Sequence, residues 1–143
     1  MPLIMLPAVK SAPAVAILAS ILVLAGCGER GSAVPEGGSV EPIEETIDAF
    51  EEALENRDLE RVCDQIFSPE GRLRAGGEEC PRRLARTVAR VRDPDLEVLG
   101  VTLGRDAAIA RVRASSAGEE PAIDTIRLVV VEGRYRIESL SGR

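Results

Sequence analysis

Residues 122–140 read AIDTIRLVVVEGRYRIESL, and this stretch decides the fold. Two runs rich in β-branched and aliphatic residues flank Glu132-Gly133, a two-residue turn signal, so the pattern predicts a β-hairpin with strands at 122–131 and 134–140. Side chains alternate across a strand. Ile126, Leu128 and Val130 therefore share one face, and Arg127 occupies the other. The aliphatic face must pack inward. Asp124 has the same parity, and Tyr135 with Ile137 points inward from the second strand.

Working upstream, 96–103 and 107–115 have the same strand character. In 96–103 the parity is broken: Leu96 and Val98 belong to one face, Val101 and Leu103 to the other. A bulge near Gly100 reconciles them and bends the sheet. The small residues Ala108, Ala110 and Ala114 predict close packing over the second of these strands. Before Pro94 the period changes to that of helices. Ile43, Ile47, Phe50 and Leu54 recur at steps of four, three and four, which predicts a helix over 42–56 opened by Pro42. Asp58 caps a shorter helix carrying Leu59, Val62, Cys63 and Ile66, and Ser68-Pro69 signals a single turn before the Gly76-Gly77 break. A last helix over 78–91 buries Cys80, Leu84, Val88 and Val91. Helices followed by a run of antiparallel strands describe an α+β fold, with N-terminal helices packed on a curved antiparallel sheet of about four strands.

Composition narrows the function. The 143 residues allow one domain, placed at 41–143. Acidic residues number 24 against 17 arginines and one lysine, Lys10, which argues against nucleic acid as a partner. The chain has no His and no Trp, and its aromatics are Phe50, Phe67 and Tyr135. Without imidazole, the commonest general base and metal ligand are missing, and the sequence calls for no metal and no cofactor.

The N-terminus carries a second message. Lys10 precedes the apolar run APAVAILASILVLA at 12–25, which ends in Leu24-Ala25-Gly26-Cys27. The run suits a signal-peptide core better than a membrane span, which needs about 20 apolar residues. Leu24-Ala25-Gly26-Cys27 resembles the lipobox of bacterial lipoproteins. The resemblance implies a leader at 1–26, a diacylglyceryl group on the Cys27 thiol, and attachment to the extracytoplasmic face of the cell membrane. A start at Met5 gives a more ordinary leader than one at Met1. Ordinary secretion and an uncleaved anchor helix over 3–25 are the alternatives, and the latter would bury Lys10 mid-membrane at about 2.5–3.5 kcal/mol. Residues 27–40, rich in Gly, Ser, Pro and Glu, read as a flexible tether.

Three cysteines leave an odd one out. With Cys27 carrying lipid, Cys63 and Cys80 are placed to form a disulfide between two helices outside the cytoplasm. Two buried reduced thiols or a redox pair are the alternatives, the latter lacking both a Cys-x-x-Cys spacing and a His.

The opening helix with Phe50, Leu54 and Asn56-Arg57-Asp58, then Phe67-Ser68-Pro69, then Glu132-Gly133-Arg134-Tyr135-Arg136-Ile137, is similar in order to the nuclear transport factor 2-like superfamily, with its ketosteroid-isomerase-like and polyketide-cyclase-like relatives. The resemblance spans roughly 40–142 and implies a cone-shaped α+β domain. In such domains a carboxylate can act as base in an apolar pocket. Asp124, with Tyr135 as hydrogen-bond donor, is the candidate pair for an isomerase- or cyclase-like enzyme, or for a pocket holding a small apolar ligand. The favoured expectation is a non-catalytic binding or interaction domain whose partner is a small apolar ligand or another envelope protein. A filled sheet–helix interface supports it, and a cavity of several hundred cubic ångströms supports the enzyme.

Charge offers one more candidate. Arg111 and Arg113 share a strand face, Arg134 and Arg136 share another, and Arg127 lies between in sequence. If these faces coincide, the sheet presents a basic surface toward anionic headgroups, an acidic polymer or a partner's carboxylates. Glu41, Glu44, Glu45, Asp48, Glu51, Glu52 and Glu55 lie on the first helix. The plainer account is two solvated faces that keep a tethered domain soluble.

Overall fold

A computed structural model describes residues 38–141. The leader at 1–26, Cys27 and most of the tether lie outside the described residues. Helix α1 (Glu41–Glu55) opens with Pro42 in its first turn and buries Ile43, Ile47, Phe50, Ala53 and Leu54 along one stripe. Arg57 and Asp58 turn the chain, with Arg57 in the left-handed region at φ 58°. The Asp58 carboxylate accepts from the Arg61 N–H and starts α2 (Leu59–Arg61), which widens into a π-helical turn over Val62–Ile66. Ser68 caps α3 (Pro69–Arg74) in the same way, its hydroxyl accepting from the Gly71 N–H at 3.0 Å. After a 3₁₀ turn at Gly77–Glu79 comes α4 (Cys80–Thr87).

Helix α4 stops earlier than its apolar period predicts. The Arg57 guanidinium donates to the carbonyls of Val88 and Val91, taking acceptors that a continued helix would use. Pro94 also disfavours helical backbone at Asp93, which sits at φ 46°. Val88 is buried all the same, and Leu84 and Val91 pack against the core from its margin.

Four strands follow: β1 (Asp95–Leu103), β2 (Ala107–Ser115), β3 (Ala122–Val131) and β4 (Arg134–Ser141). They form an antiparallel meander in the order β1-β2-β3-β4. Val98 pairs with Val112 and Gly100 with Arg111, so Leu99 is the extra residue of a bulge. The bulge puts Leu96, Val98, Val101 and Leu103 on one side, opposite Ala114, Val112, Ala110 and Ala108. The sheet therefore has a continuous inner face. A second bulge, barely signalled by the residues around it, lies in β4: Arg127 pairs with Ser139 and Leu128 with Ile137, leaving Glu138 unmatched.

The core lies between this inner face and α1 with the π turn. Ile43, Ile47, Val62, Val112, Leu128 and Ile137 are fully buried. The order of elements and their packing make the domain α+β, with helices against a bent four-stranded sheet. The free edge of β4 is met midway by Phe67, which bridges Ile137 in parallel, and the Ser68 N–H donates to the Ile137 carbonyl at 2.8 Å.

Gly71 of α3 crosses that edge so closely that a Cβ would strike the Ile137 carbonyl, whereas nothing lies within 4 Å of a Cβ at Gly100. Gly71→Ala is expected to lower unfolding free energy by about 1–3 kcal/mol, and Gly100→Ala to change it by less than about 0.5 kcal/mol. Urea denaturation of the two variants side by side checks both.

Candidate functional site

The two helices that hold the cysteines are short, and neither forms a stable unit alone. Cys63, in the π turn, and Cys80, at the start of α4, are both buried and are bonded to each other across a Cα–Cα distance of 6.1 Å. The bond ties the two helical arms together. Arg57 does the same from the outside through its two carbonyl contacts.

Asp124 and Tyr135 are not brought together. Tyr135 pairs with Val130, six residues along β3 from Asp124, a separation of about 20 Å at the strand rise of roughly 3.3 Å per residue. Asp124 is half-buried beside a shallow groove of about 260 Å³ with Leu54, Pro94 and Leu96. Tyr135 lines a different groove, of about 480 Å³, with Thr46, Arg61, Gln65 and Arg134. A general base and its hydrogen-bonding partner must reach the same reacting atoms at about 3 Å. These two residues do not. The Tyr135 side chain is 7% exposed, and its hydroxyl has no hydrogen-bond partner among the described residues, while its main-chain carbonyl accepts from Thr46 Oγ1 at 3.3 Å.

The space between sheet and helices is filled by side chains. Ala108 and Ala110 are fully buried under the aliphatic residues of the core cluster. Several grooves open at the surface. One of about 470 Å³ lies beside the disulfide, walled by Phe67, Pro69 and Leu73 and crossed by an Arg72–Asp64 ion pair at 2.9 Å. Arg136 reaches the same place from the edge strand and donates to the Asp64 carbonyl at 3.2 Å. No local pattern in the sequence announces this meeting of Asp64, Arg72 and Arg136, because it depends on how α3 crosses β4.

The arginine faces do coincide. Ile109 pairs with Arg127, Arg111 with Thr125, Arg113 with Ile123, Val129 with Arg136 and Val131 with Arg134, which gives all five arginines the outer parity of the sheet, with the Arg136 guanidinium turned around the edge to Asp64. Arg113 is ion-paired with Glu97 and Arg127 with Glu138, and Arg136 stands 4.0 Å from Glu132. Among the described residues Arg111 and Arg134 make no ion pair. No group of three His, Cys, Asp or Glu among the described residues is arranged to hold a metal ion. No helix among them is long and apolar enough to cross a membrane. In comparisons with known proteins, no family model matches the chain, and no curated protein matches it.

Two outcomes follow from this geometry. Replacing both Cys63 and Cys80 with Ala removes a cross-link between residues 17 apart and is expected to lower unfolding free energy by about 3 kcal/mol, read from the denaturant midpoint. Tyr135→Phe deletes a buried hydroxyl that has no partner, so stability should hold or rise by about 1 kcal/mol, measured by thermal unfolding.

Proposed function

We propose that this protein is a cell-envelope lipoprotein, held on the extracytoplasmic face of the cell membrane by lipid on Cys27, whose folded domain is a non-catalytic interaction module. The observation that carries the reading is the division of the three cysteines. Cys27 closes the apolar leader in Leu24-Ala25-Gly26-Cys27, and the other two are bonded to each other. Disulfides persist in oxidising compartments, so the pair is chemically consistent with export. Two or three acyl chains, at about 0.8 kcal/mol per buried methylene, make a stable anchor.

The filled interior and the separation of Asp124 from Tyr135 favour an interaction role over an isomerase- or cyclase-like enzyme. Partners of such a module are other envelope proteins, or small apolar ligands held in a surface groove. An acidic chain with net charge −6 has little affinity for nucleic acid. Within the α+β class, the nuclear transport factor 2-like cone is the finer assignment. The succession of a long helix, short helices and a four-stranded bulged meander supports it.

Cys27→Ser tests the anchor. In a bacterium able to process lipoproteins, the parent chain should fractionate with membranes and carry the mass of a diacylglyceryl group. The variant should lose that mass and leave the lipidated pool. An unchanged mass and distribution would overturn the proposal.

A further inference from the structure

The outer face of the sheet is an unusual surface for an acidic protein. Its exposed centre alternates basic and apolar side chains: Arg113 stands opposite Ile123 and Arg127 opposite Ile109, with Arg111 between them on β2. Ile109 is 37% exposed and Ile123 is 53% exposed. An isolated exposed isoleucine needs no explanation, but two set among guanidinium groups on one sheet face form a surface with both a charged and an apolar character. Two of these arginines are met by carboxylates, and the cationic excess rests on Arg111 and Arg134.

We infer that this face docks on an anionic lipid surface, with guanidinium groups on the phosphates and Ile109 and Ile123 at headgroup depth. The inference rests on the lipid-anchor reading, since the anchor supplies the proximity. Cys27 lies fourteen residues before the first residue of α1, which keeps the domain close to the headgroups. Charge decides which layer faces them. Helix α1 exposes Glu44, Glu45, Asp48, Glu52 and Glu55 on the opposite layer. Layers of a domain stand about 10 Å apart, and the Debye length is about 8 Å at physiological salt. With the sheet down, the acidic helix is screened from the lipid, and the nearest charges are the five arginines with Asp95, Glu97, Glu132 and Glu138 on the same face, among which Arg111 and Arg134 make no ion pair within the described residues. With the helix down, carboxylates meet phosphates. Arginine suits this role because its planar donors engage phosphate bidentately and keep spare N–H groups when one side is ion-paired. Exposed ion pairs such as Arg113–Glu97 are weak enough to exchange a carboxylate for a phosphate.

The test uses the full lipidated chain reconstituted on vesicles of phosphatidylcholine, or of phosphatidylcholine with phosphatidylglycerol. Oxidative footprinting then reads the labelling of Ile109 and Ile123. Labelling should fall several-fold on the anionic vesicles relative to the neutral ones. High salt, or Arg111→Glu combined with Arg134→Glu, should restore it; both residues are exposed and free of ion pairs, so the fold is spared. Flotation with neutral vesicles reports the anchor separately. A chain that floats with both vesicles yet labels equally on both overturns the docking and leaves the anchor standing. Protection by soluble polyglutamate but not by anionic vesicles also overturns it and assigns the face to an acidic partner.

Discussion

The apolar stripe of α1 needs a sheet face long enough to cover it, and the bulge at Leu99 is what makes that face continuous. Without the extra residue, Leu96 and Val98 would face the helix while Val101 and Leu103 faced solvent, or the reverse. With it, β1 contributes four aliphatic residues to one side, and β2 and β3 add Ala110, Val112, Ile126 and Leu128. Fully burying an aliphatic side chain of this size contributes about 1.5–3 kcal/mol. Leu96, Val98 and Val101 are half-buried and Leu103 is exposed, so each contributes a fraction of that, and a register that turned two of them outward would forfeit that fraction. The hairpin, the edge contact of Phe67 and the position of α3 all take their places from the face so formed.

That bulge is legible because the sequence contradicts itself: two apolar parities within nine residues have only one simple resolution. The bulge at Glu138 is not, because Tyr135 and Ile137 keep one parity and only Leu140, itself exposed, breaks it. The π turn at Val62–Ile66 leaves no local mark either. Leu59, Val62, Cys63 and Ile66 fit an ordinary helix, and the wider turn is accompanied by two distant contacts, the bond from Cys63 to Cys80 and the bridge from Phe67 to Ile137. The early end of α4 belongs with these, since Arg57 lies 31 residues before the Val88 carbonyl that it holds.

At the candidate site the limit is of a different kind. Parity correctly assigns Tyr135 to the inner face but is silent on position along a strand. Turn length carries that information. A two-residue turn at Glu132-Gly133 sets Val131 opposite Arg134 and Val130 opposite Tyr135, which places Asp124 near the far end of the hairpin. Register counted outward from the turn is therefore enough to separate the two residues. The same count sets Val129 opposite Arg136 and gathers the arginines of β3 and β4 on one face.

The alanines of β2 then decide where function can reside. In an α+β domain a ligand cavity requires the helix layer to stand away from the sheet, commonly over bulky side chains at the rim. Ala108 and Ala110 instead allow the layers to approach, and both are fully buried in the core cluster. Opening a pocket there would leave apolar walls without contacts on one side, at a cost that rises with the volume created. A domain of this size, already relying on a disulfide between its short helices, has little stability to give up in that way. The surface offers several open grooves and the arginine-bearing face of the sheet. The arginine-bearing face lies on the far side of the sheet from the acidic helix, so the packing that buries the apolar side of the sheet also sets its arginines away from that helix.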